Sequence, residues 1–312
     1  MRILIIDEVH NALIKTLSQA NYTLDYLPKI ASAKVFTIIT DYDGIIVRSK
    51  MKITSELIDI AKNLKFIARV GAGLENIDTK YAKSKNIKVI NSPEGNRDAV
   101  GEHALGMILN LFNKISIANS QVKSGVWDRE ANRGEEIGGK TIGIIGYGNT
   151  GSAFAKKLSG FDVEVLAYDK YKTGFSNKLV TESKLEELFE KIDILSFHVP
   201  LTDETKQMFN EKFINSFKKN IYIINTSRGE VVNTKDLVSA LKTKRINGAC
   251  LDVLEYEKLS FEDIFKTKSN TEFNYLINSE NVILTPHIAG WTHQSYYKIS
   301  KIIADKIIEE FK

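Results

Sequence analysis

Apolar residues in this chain fall in short, nearly unbroken runs, separated by stretches in which they recur every three or four positions. The runs read as strands buried on both faces and the spaced stretches as amphipathic helices. From the N terminus the pattern predicts strands over residues 3–6, 44–47, 66–70 and 88–90, with helices over 10–19, 55–62 and 77–83 between them. A long helix rich in Ala, Leu, Ile and Gly follows over about 98–123, a composition that suits burial at a domain or subunit boundary. The alternation then restarts. Strands are predicted over 141–145, 163–168, 193–197, 221–225, 248–251 and 282–284, helices over 152–158 and 234–243, and a final helix over about 293–311. Strand–helix alternation implies parallel sheets covered by helices. Its restart after about 140 residues predicts an α/β chain of two doubly wound parallel-sheet domains: residues 1–97 with 292–312, and residues 98–291.

Composition acts mainly by exclusion. A length of 312 residues suits two domains with a core each, and 43% hydrophobic with 26% charged residues is ordinary for globular proteins. The net charge of +4 is slight and the lysines are scattered, so no nucleic-acid partner is expected. The single Cys250 excludes an internal disulfide, fits a reducing compartment and has the setting of a small strand-buried hydrophobe. No apolar run is long enough to span a bilayer, and the opening Met1-Arg-Ile-Leu-Ile-Ile-Asp7 is a strand meeting an acid, not a signal peptide. A cytoplasmic chain without membrane partner or metal site is expected.

The most specific pattern begins at residue 139: Gly139-Lys-Thr-Ile-Gly-Ile-Ile-Gly-Tyr-Gly-Asn-Thr-Gly151. The strand over 141–145 leads into Gly146, Gly148 and Gly151 in G-x-G-x-x-G spacing, a helix follows, and the strand over 163–168 ends at Asp169. Gly146 allows a tight turn, Gly148 lets backbone approach a pyrophosphate, and Gly151 lets helix and strand pack closely. The helix N terminus attracts phosphate, and Asp169 accepts from the adenosine ribose hydroxyls. The second domain is therefore read as a Rossmann domain binding NAD. Asp169 disfavours the 2′-phosphate of NADP, a preference that Lys170 and Lys172 would soften.

Ligands of open parallel sheets bind beyond the carboxyl ends of the strands, which places the chemistry in a cleft between the domains. Three successive strands deliver polar residues to that edge: Arg228 after 221–225, Asp252 and then Glu257 after 248–251, and His287 after 282–284. A guanidinium grips a substrate carboxylate and polarises the neighbouring carbonyl. A histidine exchanges the hydroxyl proton near neutral pH, and a carboxylate orients the ring and favours its charged form. The set suits hydride transfer at a 2-hydroxy or 2-oxo acid.

The run over residues 143–169, together with Phe197-His-Val-Pro-Leu-Thr202, Ile224-Asn-Thr-Ser-Arg-Gly-Glu-Val-Val232, Leu251-Asp-Val253 with Glu257, and Thr285-Pro-His-Ile-Ala-Gly290, resembles the D-isomer-specific 2-hydroxyacid dehydrogenase family over nearly the whole chain. The resemblance implies a flavodoxin-like substrate domain beside the Rossmann domain. It implies that Arg228 binds and polarises substrate, that His287 is the acid/base and that Glu257 is its partner. It also implies cofactor contacts from Gly146, Tyr147, Gly148, Asn149, Thr150, Gly151, Asp169, His198, Val199, Pro200, Thr226, Ser227, Asp252 and Gly290. The family often has Pro after the catalytic Glu; here Lys258 opens a longer segment through residue 281, which leaves Glu255 as an alternative partner.

Two further segments, Ile45-Ile-Val-Arg48-Ser-Lys50 and Ile67-Ala-Arg69-Val-Gly71-Ala-Gly73, resemble those of D-3-phosphoglycerate dehydrogenases that hold the substrate phosphate. Asn91-Ser-Pro-Glu-Gly-Asn96 resembles their hinge loop. The substrate set is then Arg48, Arg69, Gly71, Ala72 and Gly73, with Lys50 in reserve, and the reaction that of 3-phosphoglycerate in serine biosynthesis. Serine feedback through an appended regulatory domain is not expected, because the chain stops after its last helix. A homodimer through the helix near 98–123 is expected by analogy. Glyoxylate or hydroxypyruvate reductase is the alternative within enzymes, and an NAD(H)-sensing corepressor the alternative outside them. Glu257 beside the histidine argues against a formate dehydrogenase, which has an amide there. The simpler readings are helix-surface or boundary positions for His10, His103 and His293, packing anchors for Trp127 and Trp291, although Trp291 lies close enough to His287 to line the cleft, and a wall of the adenine pocket for His198.

Overall fold

The computed structural model describes residues 1–257 and 271–312, which fall into two compact units, Met1–Asn96 with Trp291–Lys312, and Arg97–Gly290. Lys258 and the first part of the long segment after it lie outside the described residues.

The first unit runs β1 (Arg2–Ile5), α1 (Asn11–Gln19), β2 (Thr23–Tyr26), α2 (Ser32–Ile38), β3 (Gly44–Val47), α3 (Ser55–Ile60), β4 (Phe66–Arg69), α4 (Thr79–Ser84) and β5 (Lys88–Asn91). All strand pairs are parallel, in the order β2-β1-β3-β4-β5, so the order reverses between β1 and β3. Alternate residues of each strand serve opposite faces. Leu4, Ile45, Val47 and Ile67 pack on one side, and Ile3, Ile5, Ile46, Phe66 and Ala68 on the other. β2 and α2 were not marked by the hydrophobic pattern: β2 is a short edge strand of partly exposed residues, and α2 starts at Ala31 without a side-chain cap.

The second unit runs α5 (Arg97–Phe112), α6 (Ile115–Lys123), β6 (Thr141–Ile145), α7 (Asn149–Lys157), β7 (Glu164–Tyr168), β8 (Thr181–Glu182), α8 (Leu185–Lys191), β9 (Ile194–Phe197), α9 (Glu211–Ser216), β10 (Ile221–Asn225), α10 (Thr234–Lys242), β11 (Ile246–Leu251), α11 (Thr271–Asn278) and β12 (Val282–Leu284). Its seven strands are parallel in the order β12-β11-β10-β9-β6-β7-β8, and the order reverses between β9 and β6. The chain then returns to the first unit as α12 (His293–Phe311), opened by a Thr292–Ser295 capping box. Its Ile299, Ile303 and Ile307, on one face by their four-residue spacing, pack in one cluster with Leu13 and Leu17 of α1.

The single helix expected over 98–123 is two helices. Lys114 takes left-handed φ of 52°, the Asn110 side chain accepts from the Ser116 amide at 2.9 Å, and the Phe112 carbonyl accepts from Glu135 instead of continuing the helix. The helix expected over 152–158 begins three residues earlier, at Asn149, directly behind the glycine turn.

Candidate functional site

In the second unit, Gly146 and His198 follow the two strands between which the order reverses, the place where such sheets bind ligands. Gly146 has φ of 93°, and a Cβ there would lie 2.4 Å from the His198 carbonyl oxygen. At Gly151 a Cβ would lie 2.1 Å from the Gly146 carbonyl, so helix and turn meet at glycine contact. Gly148 differs: an added Cβ meets nothing within 4 Å, so the space above the turn is open where a pyrophosphate would approach. The first turn of α7, carrying Asn149, Thr150 and Gly151, points its unbonded amides that way.

Asp169 closes this site by accepting from the Tyr147 amide at 2.8 Å and from Tyr171 and Lys172 at 2.9 and 3.0 Å. Three acceptor positions are used and one carboxylate lone pair is left for a ribose hydroxyl. Of the lysines expected to soften NAD preference, Lys170 pairs with Glu204 at 2.6 Å, whereas Lys172 stays at the turn, donating to the Tyr147 carbonyl at 3.2 Å. Past β9 and β10, His198 Nδ1 and the Thr226 hydroxyl are buried with no hydrogen-bond partner among the described residues. Val199 borders the turn, while Pro200 is exposed and Ser227 is buried on Asn225. An open cradle, helix-terminal amides, an acceptor at the β7 end and two orphaned polar atoms fit a dinucleotide.

His198 is buried, its Nε2 on the Ser196 hydroxyl at 2.9 Å and its ring 5.5 Å from Phe154. Burial pulls its pKa down to about 3, so the ring is neutral and unsuited to proton exchange near pH 7.

The strand-end residues form a second cluster in the same unit. Asn225, wholly buried, accepts from the amide and hydroxyl of Ser227 and donates to the Arg228 carbonyl at 2.9 Å, which sets the turn carrying Arg228. Gly229 is required beneath it, since a Cβ would lie 2.0 Å from the Leu254 carbonyl oxygen. Arg228 Nη1 donates to the Ser227 carbonyl at 2.6 Å. His287 Nδ1 meets Glu257 Oε2 at 2.6 Å, and the other carboxylate oxygen accepts from the Leu254 amide. The partner is thus Glu257. Glu255 accepts from Gln207 and from the Thr234 amide at the start of α10, a structural place.

His287 itself has φ of 56°, a left-handed backbone that costs a non-glycine residue about 1–2 kcal/mol. Asp252 holds it there. This carboxylate, 1% exposed, accepts from the Thr285 hydroxyl at 2.6 Å and from the Ile288 and Ala289 amides at 2.8 Å each, while its carbonyl accepts from the His287 amide. Named above as a cofactor contact, Asp252 is committed to this loop, whose end is Gly290. Sequence reasoning missed the other members of the network, Asn225, Thr285 and His103, whose Nε2 lies 3.0 Å from the Thr285 hydroxyl. A buried Asn ending an apolar strand and a Thr before Pro286 were the available signals.

In the first unit Arg48 follows β3 and Arg69 ends β4. Arg69 Nε donates to the Arg48 carbonyl at 3.2 Å, and its guanidinium lies over Gly71, where a Cβ would be 1.8 Å from Nη1. Gly71 has φ of 150°, and Asn91 donates to the Ala72 carbonyl. Lys50, by contrast, donates to the Pro28 and Ile30 carbonyls, which takes it out of an anion site. Trp291, expected to be a packing anchor, is 51% exposed and stacks with Arg48. His10 accepts from the Ala12 amide to cap α1, and His293 is exposed at the start of α12. Among the described residues no helix is long and apolar enough to cross a membrane.

The D-isomer specific 2-hydroxyacid dehydrogenase, NAD binding domain, family matches residues 105–289. A hydroxypyruvate reductase of Thermotoga maritima is 34% identical over 98% of this chain and 95% of its own length. A D-3-phosphoglycerate dehydrogenase of Synechocystis is also 34% identical, over 97% of this chain, which spans 52% of that relative. Among solved structures, a D-lactate dehydrogenase of Aquifex aeolicus complexed with NAD and lactic acid superposes with a TM-score of 0.82 at 30% identity, covering 100% of this chain and 95% of that one. The glycine turn with its β7 acid and the His287 loop both lie in or at the edge of the matched stretch, and the chain belongs to the D-isomer-specific 2-hydroxyacid dehydrogenase family, with that family's NAD-binding domain.

Proposed function

We propose that this protein interconverts a D-2-hydroxy acid and its 2-oxo acid with NAD, using Arg228, Glu257 and His287, and that the substrate pair is 3-phosphoglycerate and 3-phosphohydroxypyruvate. The observation that carries the reaction is the 2.6 Å contact of His287 Nδ1 with a Glu257 carboxylate that is itself anchored on the Leu254 amide. That contact supports a fixed ring, and proton exchange is proposed at Nε2. NADH supplies, when bound, the hydride for C2. Arg228 grips the substrate carboxylate and polarises the C2 carbonyl; His287 gives its proton to the C2 oxygen in reduction and takes it back in oxidation. Glu257 supports the charged ring between those events.

Arg48 and Arg69 are proposed to hold the phosphate, and the glycine-flanked turn at Gly71, Ala72 and Gly73 the carboxylate end. The amides of Ala72 and Gly73 make no hydrogen bond among the described residues, which supports the second role. Such a substrate places the enzyme in cytoplasmic serine biosynthesis. A homodimer through α6 is part of the proposal: Ile115, Val122, Val126 and Trp127 on and just after this helix are all exposed.

A smaller, unphosphorylated substrate is the second reading. It is favoured by the hydroxypyruvate reductase matched along nearly its whole length, and by Lys50 facing backbone carbonyls. NADH oxidation with 3-phosphohydroxypyruvate, hydroxypyruvate, glyoxylate, pyruvate and 2-oxoglutarate decides between them. Arg48→Ala or Arg69→Ala is expected to raise KM for 3-phosphohydroxypyruvate roughly ten- to a hundredfold more than for hydroxypyruvate, as loss of a charged hydrogen bond should. Outright preference of the wild type for hydroxypyruvate gives the second reading its place.

A further inference from the structure

The strand order of the first unit reverses between β1 and β3, and the residues just past those strands are Asp7, Glu8 and Arg48. Ligands of open parallel sheets bind at such reversals. Asp7 forms no ion pair with Arg48; its Oδ2 accepts from the amides of Arg48, Ser49 and Lys50 at 2.6, 3.2 and 3.3 Å. The guanidinium carbon lies 4.0 Å from the centroid of the Trp291 ring, and no side-chain hydrogen bond or ion pair of Arg48 occurs among the described residues.

Arg48 is half-buried, and burial pulls its proton affinity down, with Tyr296, Asp7 and Glu8 opposing. With the guanidinium carbon over the Trp291 ring and no side-chain hydrogen bond among the described residues, the N–H donors of the fork are unused. A partly desolvated cation with an unused fork is costly until an oxyanion completes it. Trp291 is placed for more than packing. It is 51% exposed, its ring is 5.7 Å from Tyr296, and Tyr296 is 5.6 Å from His10, so Arg48 rests on one end of an aromatic wall. Trp291 also follows His287 by four residues, and the covalent chain alone holds their Cα atoms within about 14 Å.

We infer that Trp291 is a positioning residue that presents the edge of Arg48 to a second oxyanion of the substrate, a phosphate or carboxylate beyond C2, and that this stacking makes the enzyme select 2-oxo acids with a charged tail. The inference rests on the 2-oxo acid reading given above and adds the residue that sets its selectivity.

Two measurements test it. Removal of a partly desolvated cation–π contact in Trp291→Ala should raise KM for whichever charged-tail substrate is used, 3-phosphohydroxypyruvate or 2-oxoglutarate, by about five- to thirtyfold. The hydroxypyruvate KM and the kcat values should stay within about twofold, and Trp291→Phe should restore most of the loss. The arm that responds, phosphate or carboxylate, names the tail. An equal rise for hydroxypyruvate, no change for any substrate, or a Phe variant as poor as Ala overturns the inference. The second measurement needs no turnover. The chain has two tryptophans, so Trp127→Phe leaves Trp291 as the sole fluorophore. Inorganic phosphate or 3-phosphoglycerate should perturb its emission saturably, and Arg48→Ala in that background should abolish the response. A phosphate response without turnover of any 2-oxo acid keeps the subsite and sinks the dehydrogenase reading. Hydroxypyruvate turnover without a response to either anion or to 2-oxoglutarate overturns the subsite alone.

Discussion

Glu257 and His198 show how two residues near the same chemistry serve opposite ends. Glu257 accepts from the Leu254 amide, meets His287 Nδ1 at 2.6 Å and is proposed to support that ring during proton exchange. In Glu257→Gln the charge is gone while the shape remains, so the pH profile of kcat should change, with some activity preserved. An unmoved pH profile of kcat would remove Glu257 from the proton relay. His198 acts on stability instead. Its folded-state pKa of about 3 lies below the unfolded value of about 6.5, so the native ring is neutral while the unfolded one takes up a proton on acidification. The wild type should therefore lose up to about 1.4 kcal/mol of stability per pH unit between those values from this residue alone. His198→Phe should flatten that part of the unfolding free energy measured against pH; equal slopes would show that the ring titrates normally. The proposed reactive trio and Asp169 were legible as single residues because each follows the end of an apolar run. Asn225, Thr285 and the full role of Asp252 were not, because their partners come from separate strand ends that only the folded sheet brings together.

At the scale of elements, the glycine turn between β6 and α7 separates structure from binding within six residues. Gly146→Ala adds a Cβ at left-handed φ and 2.4 Å from a carbonyl, so its unfolding midpoint should fall by about 4 °C or more. Gly148→Ala fills open space, so the midpoint should stay within about 2 °C while NADH affinity drops tenfold or more. Calorimetry and NADH titration of both variants check the pair, and a destabilised Gly148→Ala with normal affinity would contradict it. The strands were readable from apolar runs, since parallel strands are buried on both faces, except the partly exposed edge strands β2 and β8. Short helices were readable only in part: α3 and α4, six residues each, were marked, while α8 and α9, of seven and six, were not, because so few residues barely establish a helical period. The break at Lys114 was hidden too, because it depends on the Asn110 side chain and on Glu135, far along the chain.

For the whole molecule, the two reversals of strand order, β1/β3 in one unit and β9/β6 in the other, each carry polar residues with unused hydrogen-bonding capacity. The exposed apolar residues of α6 and the following turn, with Trp127 at 80% exposure, form a separate feature. A Val122→Glu, Trp127→Glu double variant should convert the proposed dimer to a monomer in sedimentation without loss of the folded CD spectrum; a wild type that already sediments as a monomer removes that proposal. His287 is proposed to move the proton while the glycine-turn unit holds NAD independently of it. The direct test is His287→Ala, with NADH binding and turnover of the best 2-oxo acid measured on the same preparation. NADH affinity should stay within about twofold of wild type while kcat falls by two orders of magnitude or more. Near-normal turnover in that variant would contradict the proposal.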